Sequence, residues 1–253
     1  MTAADVIRIK ELLPTSLGSD EIREQIAREI LQRSVFSARM ESVRYLARVR
    51  EICAQIASGT INQADARLKL VSLLEQMGHS PQDGGGIANP ASIRRLNLIV
   101  DTQRQMAASV ATLSGQTKAT VEMWPAWELT RLETRRLPRE DWQRRWAAAG
   151  LACGFKGALK DRFIALKSSP IWQELGNGAG GFRDTLGNPY PPFAFSSGLD
   201  WVEVDREDCI RFGLITEDEE VPAPTVASLS PAERDIAEAI DRYGFPNLAE
   251  GIA

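Results

Sequence analysis

His79 is the sole histidine of the chain, so a Ser-His-Asp or Cys-His relay would have to run through it. It stands at an expected helix end beside Gly84-Gly85-Gly86, and no G-x-S-x-G nucleophile turn occurs anywhere. A solvated loop histidine is the better reading. Zinc wants Cys and His at short spacings, whereas Cys53, Cys153 and Cys209 are each alone, so neither a metal nor a thiol role is expected. The triple glycine resembles a phosphate cradle only in composition, because no G-x-x-x-x-G-K-[ST] sequence and no preceding strand accompany it. No cofactor is expected. Carboxylates gather at Asp200, Glu203, Asp205, Glu207 and Asp208. Two of them could run general acid–base hydrolysis if they converged across a cleft, but spacing cannot show that and an acidic surface is the common explanation.

A second cluster is basic. Arg131, Arg135, Arg136, Arg139, Arg144 and Arg145 interleave with Trp127, Trp142 and Trp146. Guanidinium groups pair with phosphate or carboxylate, and indoles stack on bases or on guanidinium itself. DNA contact is one use of such a set. A helix with core tryptophans and solvated or acid-paired arginines is the other, and it is favoured because the whole chain carries a net charge of -4. That total conceals a strong segregation. Residues 1–90 balance at zero (eleven basic, eleven acidic), 91–167 carry +7 (fourteen and seven) and 168–253 carry -11 (five and sixteen). Opposed blocks either face each other within one fold or dock onto partners.

The elements that must position these groups are mostly helical. Asp20, Glu21 and Glu24 suit the first turn of a helix capped by Ser19 or Asp20. Ile22, Ile26, Ile30, Phe36, Met40, Val43, Ile52 and Ile56 then recur at roughly helical spacing as far as Gly59, with a kink allowed near Ser34 or Ser37. Thr60 and Gln63 read as a capping box opening a second helix, with Ile61, Leu68, Val71 and Leu74 as its stripe and Gly78 as its stop. The expectation is an antiparallel hairpin over 19–78. Asn89-Pro90 should open a third helix that ends near Ser114-Gly115.

Texture changes beyond that point. All six tryptophans lie between Trp124 and Trp201. Glu128–Arg135 reads as a short strand, Trp142 and Trp146 should share one helix face, and Asp161–Lys167 reads as helical. The glycines and prolines of 177–192 require irregular backbone, and Tyr190, Phe193 and Phe195 should anchor the following loop. An acidic linker over 217–228 leads to a short capped helix from Ser230 to about Tyr243. The fold class is therefore mainly α, a helical hairpin followed by a loop-rich α(+β) domain with few short strands. The expected division is 1–86, 87–215 and 216–253. No run of eighteen apolar residues occurs and the first ten residues lack a signal-peptide pattern, so a non-secreted protein without a membrane span is expected.

Several segments in order resemble phage and prophage head morphogenesis proteins, the minor head proteins related to the F protein of phage Mu. They are Leu96–Gln103, Trp124-Pro125-Ala126-Trp127-Glu128-Leu129, Ile164–Lys167 with Pro170-Ile171-Trp172, Asn188–Gly198, and Asp205–Asp208. Many relatives carry a His and paired Cys after the double proline; here Pro191-Pro192 leads to Phe193, Phe195 and Gly198, so no metal role carries over. The resemblance implies a virion protein at the portal vertex, assembled in the host cytoplasm, that aids head assembly or DNA packaging. Its expected partners are the portal, other head proteins and copies of itself, with no membrane and with DNA contact not favoured. Candidate partner-binding residues are Arg131, Arg135, Arg136, Arg139, Arg144, Arg145, Tyr190, Phe193 and Phe195. A head-to-tail connector ring subunit and a hydrolase using residues 200–208 are the alternatives.

Overall fold

A computed structural model describes residues 1–78, 92–133, 139–158 and 161–224. It is mainly α with a few short strands, and the chain divides into two compact units, 1–111 with 227–253 and 112–226. The expected boundary at 86/87 lies outside the described residues, as do His79, Gly84–Gly86, Asn89, Pro90 and the helix expected from Ser230.

In the first unit α1 (Ala3–Arg8) opens on a reciprocal cap. The Asp5 amide donates to Thr2 Oγ1 at 3.2 Å and the Thr2 amide to Asp5 Oδ2 at 3.0 Å. The chain then forms β1 (Glu11–Leu12), α2 (Ser19–Gln25), α3 (Arg28–Gln32) and β2 (Ser34–Val35). The single helix expected from residue 20 to Gly59 is thus not formed, and the first arm of the 19–78 hairpin is broken. Ile26 sits in extended backbone (φ -101°, ψ 129°) and stops α2. β2 instead pairs in parallel with β1, and the Glu11, Leu13 and Thr15 amides donate to the Arg33, Val35 and Met40 carbonyls, each at 3.0 Å. Those non-local bonds satisfy backbone groups that a continuous helix would have paired locally. The apolar spacing over 22–31 was real, but Ile22, Ile26 and Leu31 use it to close around Leu13. The first cap is also one residue earlier than expected, with the Gly18 amide donating to Glu21 Oε2 at 2.6 Å.

α4 (Val43–Ala57) is capped by Ser42, whose hydroxyl accepts from the Tyr45 amide, and it buries Tyr45, Leu46, Val49, Ile52 and Cys53 against α1 and its neighbours. α5 (Gln63–Gln76) follows after five residues and packs on α4. Its cap is Asn62, whose Oδ1 accepts from the Asp65 amide at 2.9 Å, not Thr60 as the sequence suggested. Thr60 Oγ1 lies 2.8 Å from Ser58 Oγ instead. α6 (Ile93–Ser114) begins where the Ser92 hydroxyl accepts from the Arg95 amide, and it stops where expected.

The second unit is a small sheet with helices. β3 (Ala126–Arg131) is central, flanked antiparallel by β4 (Ile164–Leu166) and β5 (Leu199–Val204). The helices are α7 (Lys118–Met123), α8 (Trp142–Cys153), α9 (Ile171–Asn177) and α10 (Arg206–Arg211), with α8 packed on α9. β3 begins two residues earlier than the expected 128–135 strand. The helix expected over 161–167 is a correction: Ile164–Leu166 pair with Ala126–Glu128, and Pro170 leaves too few residues for a helical nucleus. Trp142 and Trp146 do share the buried face of α8, which closes on Gly154 in the left-handed region (φ 66°).

Candidate functional site

The second unit is organised around rings. Trp127, on β3, is 1% exposed and stacks on Trp201 of β5 with centroids 3.8 Å apart and planes at 10°. Trp172 of α9 meets Trp127 and Trp201 edge-on, and Phe193 stacks on Trp172 at 6.0 Å. Strand pairing explains the meeting, since residues of β3 and β5 on one sheet face lie side by side and α9 covers that face. Each large ring removed from water contributes about 1.5–3 kcal/mol, so this cluster is the main stabilising element of the unit. Tyr190 (5% exposed) and Phe193 (1%) are therefore buried scaffold and not a docking surface, while Phe195 is half-buried.

Against this scaffold lies a charged clamp. Arg145 of α8 donates through Nη1 to Asp184 Oδ1 at 2.8 Å and through Nη2 to Asp141 Oδ2 at 2.9 Å, with Asp184 Oδ2 at 3.1 Å from Nη2. Arg139 Nη2 completes the set at 3.1 Å from Asp184 Oδ2. The Arg145 guanidinium also lies over the Phe182 and Trp142 rings, at 4.3 and 5.1 Å. Burial by itself disfavours charge on Asp184, but the hydrogen bonds and charge of Arg145, helped by Arg139, hold its carboxyl below the usual range. Burial likewise opposes the Arg145 charge, and its two carboxylate partners outweigh it and push its pKa up. Asp184 sits in a glycine-rich turn between Gly178 and Gly187, both at positive φ. The turn swings it back 39 residues along the chain onto α8.

A second buried cation lies beside the ring cluster, on the sheet face that carries Trp127 and its cross-strand partner Glu203. The Lys167 side chain is fully buried, with Nζ 2.6 Å from Glu203 Oε2, 2.7 Å from Gln116 Oε1 and 5.2 Å from the Trp127 ring centroid. Burial lowers its pKa, and Glu203 partly restores it. Lys118 pairs with Glu220 at 3.3 Å. In each of these pairs a cation from the +7 block meets a carboxylate from the -11 block within the same unit.

These placements decide what the groups can do. Arg131 donates to the Ser197 and Arg139 carbonyls, so it ties loop to strand. Arg144 alone of the described basic candidates is exposed, 6.0 Å from the Phe182 ring. Arg135 and Arg136 lie outside the described residues. The carboxylates offered for hydrolysis are spread over separate tasks. Glu203 neutralises Lys167, Asp205 caps α10 by accepting from the Asp208 amide, and Asp208 pairs with Arg211. Among the described residues no group of three or more His, Cys, Asp or Glu is placed to hold a metal ion, and no helix is long and apolar enough to cross a membrane. All three cysteines are free thiols.

Sequence reasoning missed three things. Asp184 is one acid among glycines and nothing local marks it as the partner of Arg145. Lys167 looks like an ordinary strand-end lysine. The third is a groove in the first unit between α4 and α5, about 680 Å³ in volume, lined by Arg44, Arg48 and Glu51 on one side and Leu68, Lys69 and Ser72 on the other. Its signal was present as basic residues at i, i+4 spacing opposite the buried stripe of α4. No family model, curated protein or solved structure matches the chain.

Proposed function

We propose that the chain is a structural component of a phage head, a minor head protein seated at the portal vertex that assists head assembly or DNA packaging. One observation carries this reading. Of the segments that resemble minor head proteins, Leu96–Gln103 lies on α6 in the first unit, and those from Trp124 to Asp208 form one scaffold in the second: β3, β4 with α9, the 188–198 loop and the start of α10. Trp127, Trp172 and Phe193, which lie in these segments, pack ring against ring. A scaffold packed in this way suits a protein that presents a rigid surface to other proteins, and Arg145 and Lys167 beside it are committed to ion pairs.

Purified particles of the phage that encodes the chain provide the test. Quantitative mass spectrometry should find it at low copy number beside the portal, and labelled antibody should mark one vertex. Its absence from particles, or a copy number equal to the major capsid subunit, would sink the proposal. A ring copy number equal to the portal's would transfer the chain to the connector class.

A further inference from the structure

Among the chain's asparagines Asn177 alone is followed by a glycine, Gly178, and that pair closes α9. An asparagine carboxamide has an electrophilic carbon that the amide nitrogen of the next residue can attack, closing a five-membered ring. Glycine puts no Cβ in the way of that closure, so an Asn-Gly pair is where a chain most readily converts asparagine without an enzyme. Both reacting groups are held in this fold. Asn177 Oδ1 accepts from Gln173 Nε2 at 2.8 Å, one turn back on α9, which fixes the plane of the carboxamide. Gln173 is itself anchored, since the same Nε2 lies 3.4 Å from the Gly187 carbonyl oxygen at the far end of the glycine-rich turn. The Gly178 amide donates to the Leu175 carbonyl at 3.3 Å, and a nitrogen whose hydrogen is engaged in this way is a poor nucleophile. Gly178 stands in the left-handed region (φ 76°), and Asn177 is half-buried.

We propose that Asn177-Gly178 is a site of spontaneous deamidation that the fold keeps closed, with Gln173 as the residue that closes it. The conversion needs only water. The Gly178 nitrogen gives up its proton and bonds to Asn177 Cγ, the bond from Cγ to Nδ2 breaks, and ammonia leaves with that proton. Water then adds to one carbonyl of the cyclic imide and opens it. Opening one way leaves an aspartate at position 177, and opening the other way leaves an isoaspartate whose main chain runs through Cβ. Either product carries a new negative charge at the end of α9. The isoaspartate also adds a methylene to a main chain with no slack beside it, because a Cβ built on Gly176 or Gly178 would run into the carbonyl oxygen of Asn188 or Phe182. Conversion therefore loosens the turn that brings Asp184 onto Arg145 of α8.

A time course of the full chain in mildly alkaline, reducing buffer tests it, with peptide mapping by mass spectrometry. Conversion is read as the mass gain from asparagine to aspartate in the peptide that holds Asn177, a gain that isomerisation of an existing aspartate does not give. In guanidinium chloride this pair should convert while Asn62-Gln63 in the same digest stays intact. In the folded chain the conversion should be at least about tenfold slower, the scale of two hydrogen bonds. Gln173→Ala should raise the folded rate about fivefold, the scale of one hydrogen bond, with near-ultraviolet tryptophan dichroism showing that the second unit is folded. Gln173→Glu keeps the side-chain length, but its carboxylate cannot donate to Asn177 Oδ1, so it should accelerate the conversion likewise. Equal rates with and without denaturant, or no conversion in denaturant, would overturn the proposal, and this wild-type comparison stands even where a variant loses its fold. A folded Gln173 variant that converts no faster than wild type would overturn it as well.

Discussion

Replacing Lys10 by methionine should change how the protein's stability depends on pH, and the change can be sized from its burial. Lys10 is 2% exposed, its Nζ donating to Gln103 Oε1 at 3.0 Å, while its own carbonyl accepts from Arg50 Nη1 at 2.8 Å. Burial pushes the ammonium from 10.5 down to about 8. A folded-state pKa below the unfolded one means that the unfolded chain holds the proton more tightly between about pH 8 and 10.5. Stability therefore rises with pH across that window. The full shift corresponds to roughly 3.4 kcal/mol at about 1.36 kcal/mol per unit. Only part of it develops between pH 7 and 9, about 1.4 kcal/mol. Cys53 and Tyr45 act in the opposite sense, because burial raises each to about 12 and their unfolded forms ionise first. Around pH 9 Cys53 cancels some of the gain, and above pH 10 both groups remove stability.

Comparing wild type with Lys10→Met reads chiefly the lysine: among the shifted groups Cys53 alone interacts with its charge, and losing the ammonium pushes that thiol further up and out of the pH 7–9 window. Methionine keeps the unbranched stem and removes the charge, at the cost of stranding Gln103. Urea melts in reducing buffer at pH 7 and pH 9 should show the variant's advantage over wild type shrinking by about 1.4 kcal/mol. If the two proteins shift in parallel, Lys10 is not carrying its proton in a dry site, and the argument from its burial is wrong.

Arg145→Leu should destabilise the protein by about 2 kcal/mol in urea melts, because it removes the charge-assisted hydrogen bonds to Asp184 and Asp141, whose side chains are 36% and 31% exposed. In wild type the depressed Asp184 carboxyl contributes stability that is present above its ordinary pKa of 3.8 and is lost as the pH falls through its lower folded value; this acid-side loss should be smaller in Arg145→Leu. Asn62→Ala should cost about 1 kcal/mol as a lost cap, whereas Thr60→Ala should stay within about 0.5 kcal/mol, and the reverse order would restore the sequence-based assignment of the cap. Gly176→Ala should prevent the second unit from folding, read by loss of near-ultraviolet tryptophan dichroism, because its new Cβ would lie 1.8 Å from the Asn188 carbonyl oxygen.

The sequence exposed those elements whose own residues decide them. α5, α6 and α8 each carry an apolar stripe and polar faces, so their existence was readable, while the cap residues Asn62 of α5 and Ser92 of α6 were not. Position Asn62 and position Thr60 both offer a side-chain oxygen, and the choice depends on how the turn after α4 closes, where the Thr60 amide donates to the Gln55 carbonyl. The region 20–42 failed for a deeper reason. Ile22 and Ile30 do lie in helices, the short α2 and α3, but the chain leaves the helix at Ile26 and again at Ser34, whose ladder partner Glu11 stands 23 positions upstream, and no local pattern can report that ladder. Three-residue β4 failed likewise, being defined only by Ala126–Glu128 across the sheet.

The charge pattern was the most informative feature of the sequence, and pairing gives it its meaning. A +7 block followed by a -11 block is compatible with two proteins attracting each other or with one unit holding itself together. Arg145 and Arg139 on Asp184, Lys167 on Glu203 and Lys118 on Glu220 favour the second arrangement, because every one of these contacts joins the two blocks inside residues 112–226. Two of them have a cation with at most 5% of its side chain exposed, where screening by salt is weak. Recruitment of a partner by the described part of the basic block would therefore rest on the cations that these pairs leave outward, Arg94, Arg144 and Lys156 among them. Partner binding that falls steeply with salt but survives Arg144→Glu would place the docking charge elsewhere, and the cations of the α4–α5 groove, Arg44, Arg48 and Lys69, are then the ones to reverse next.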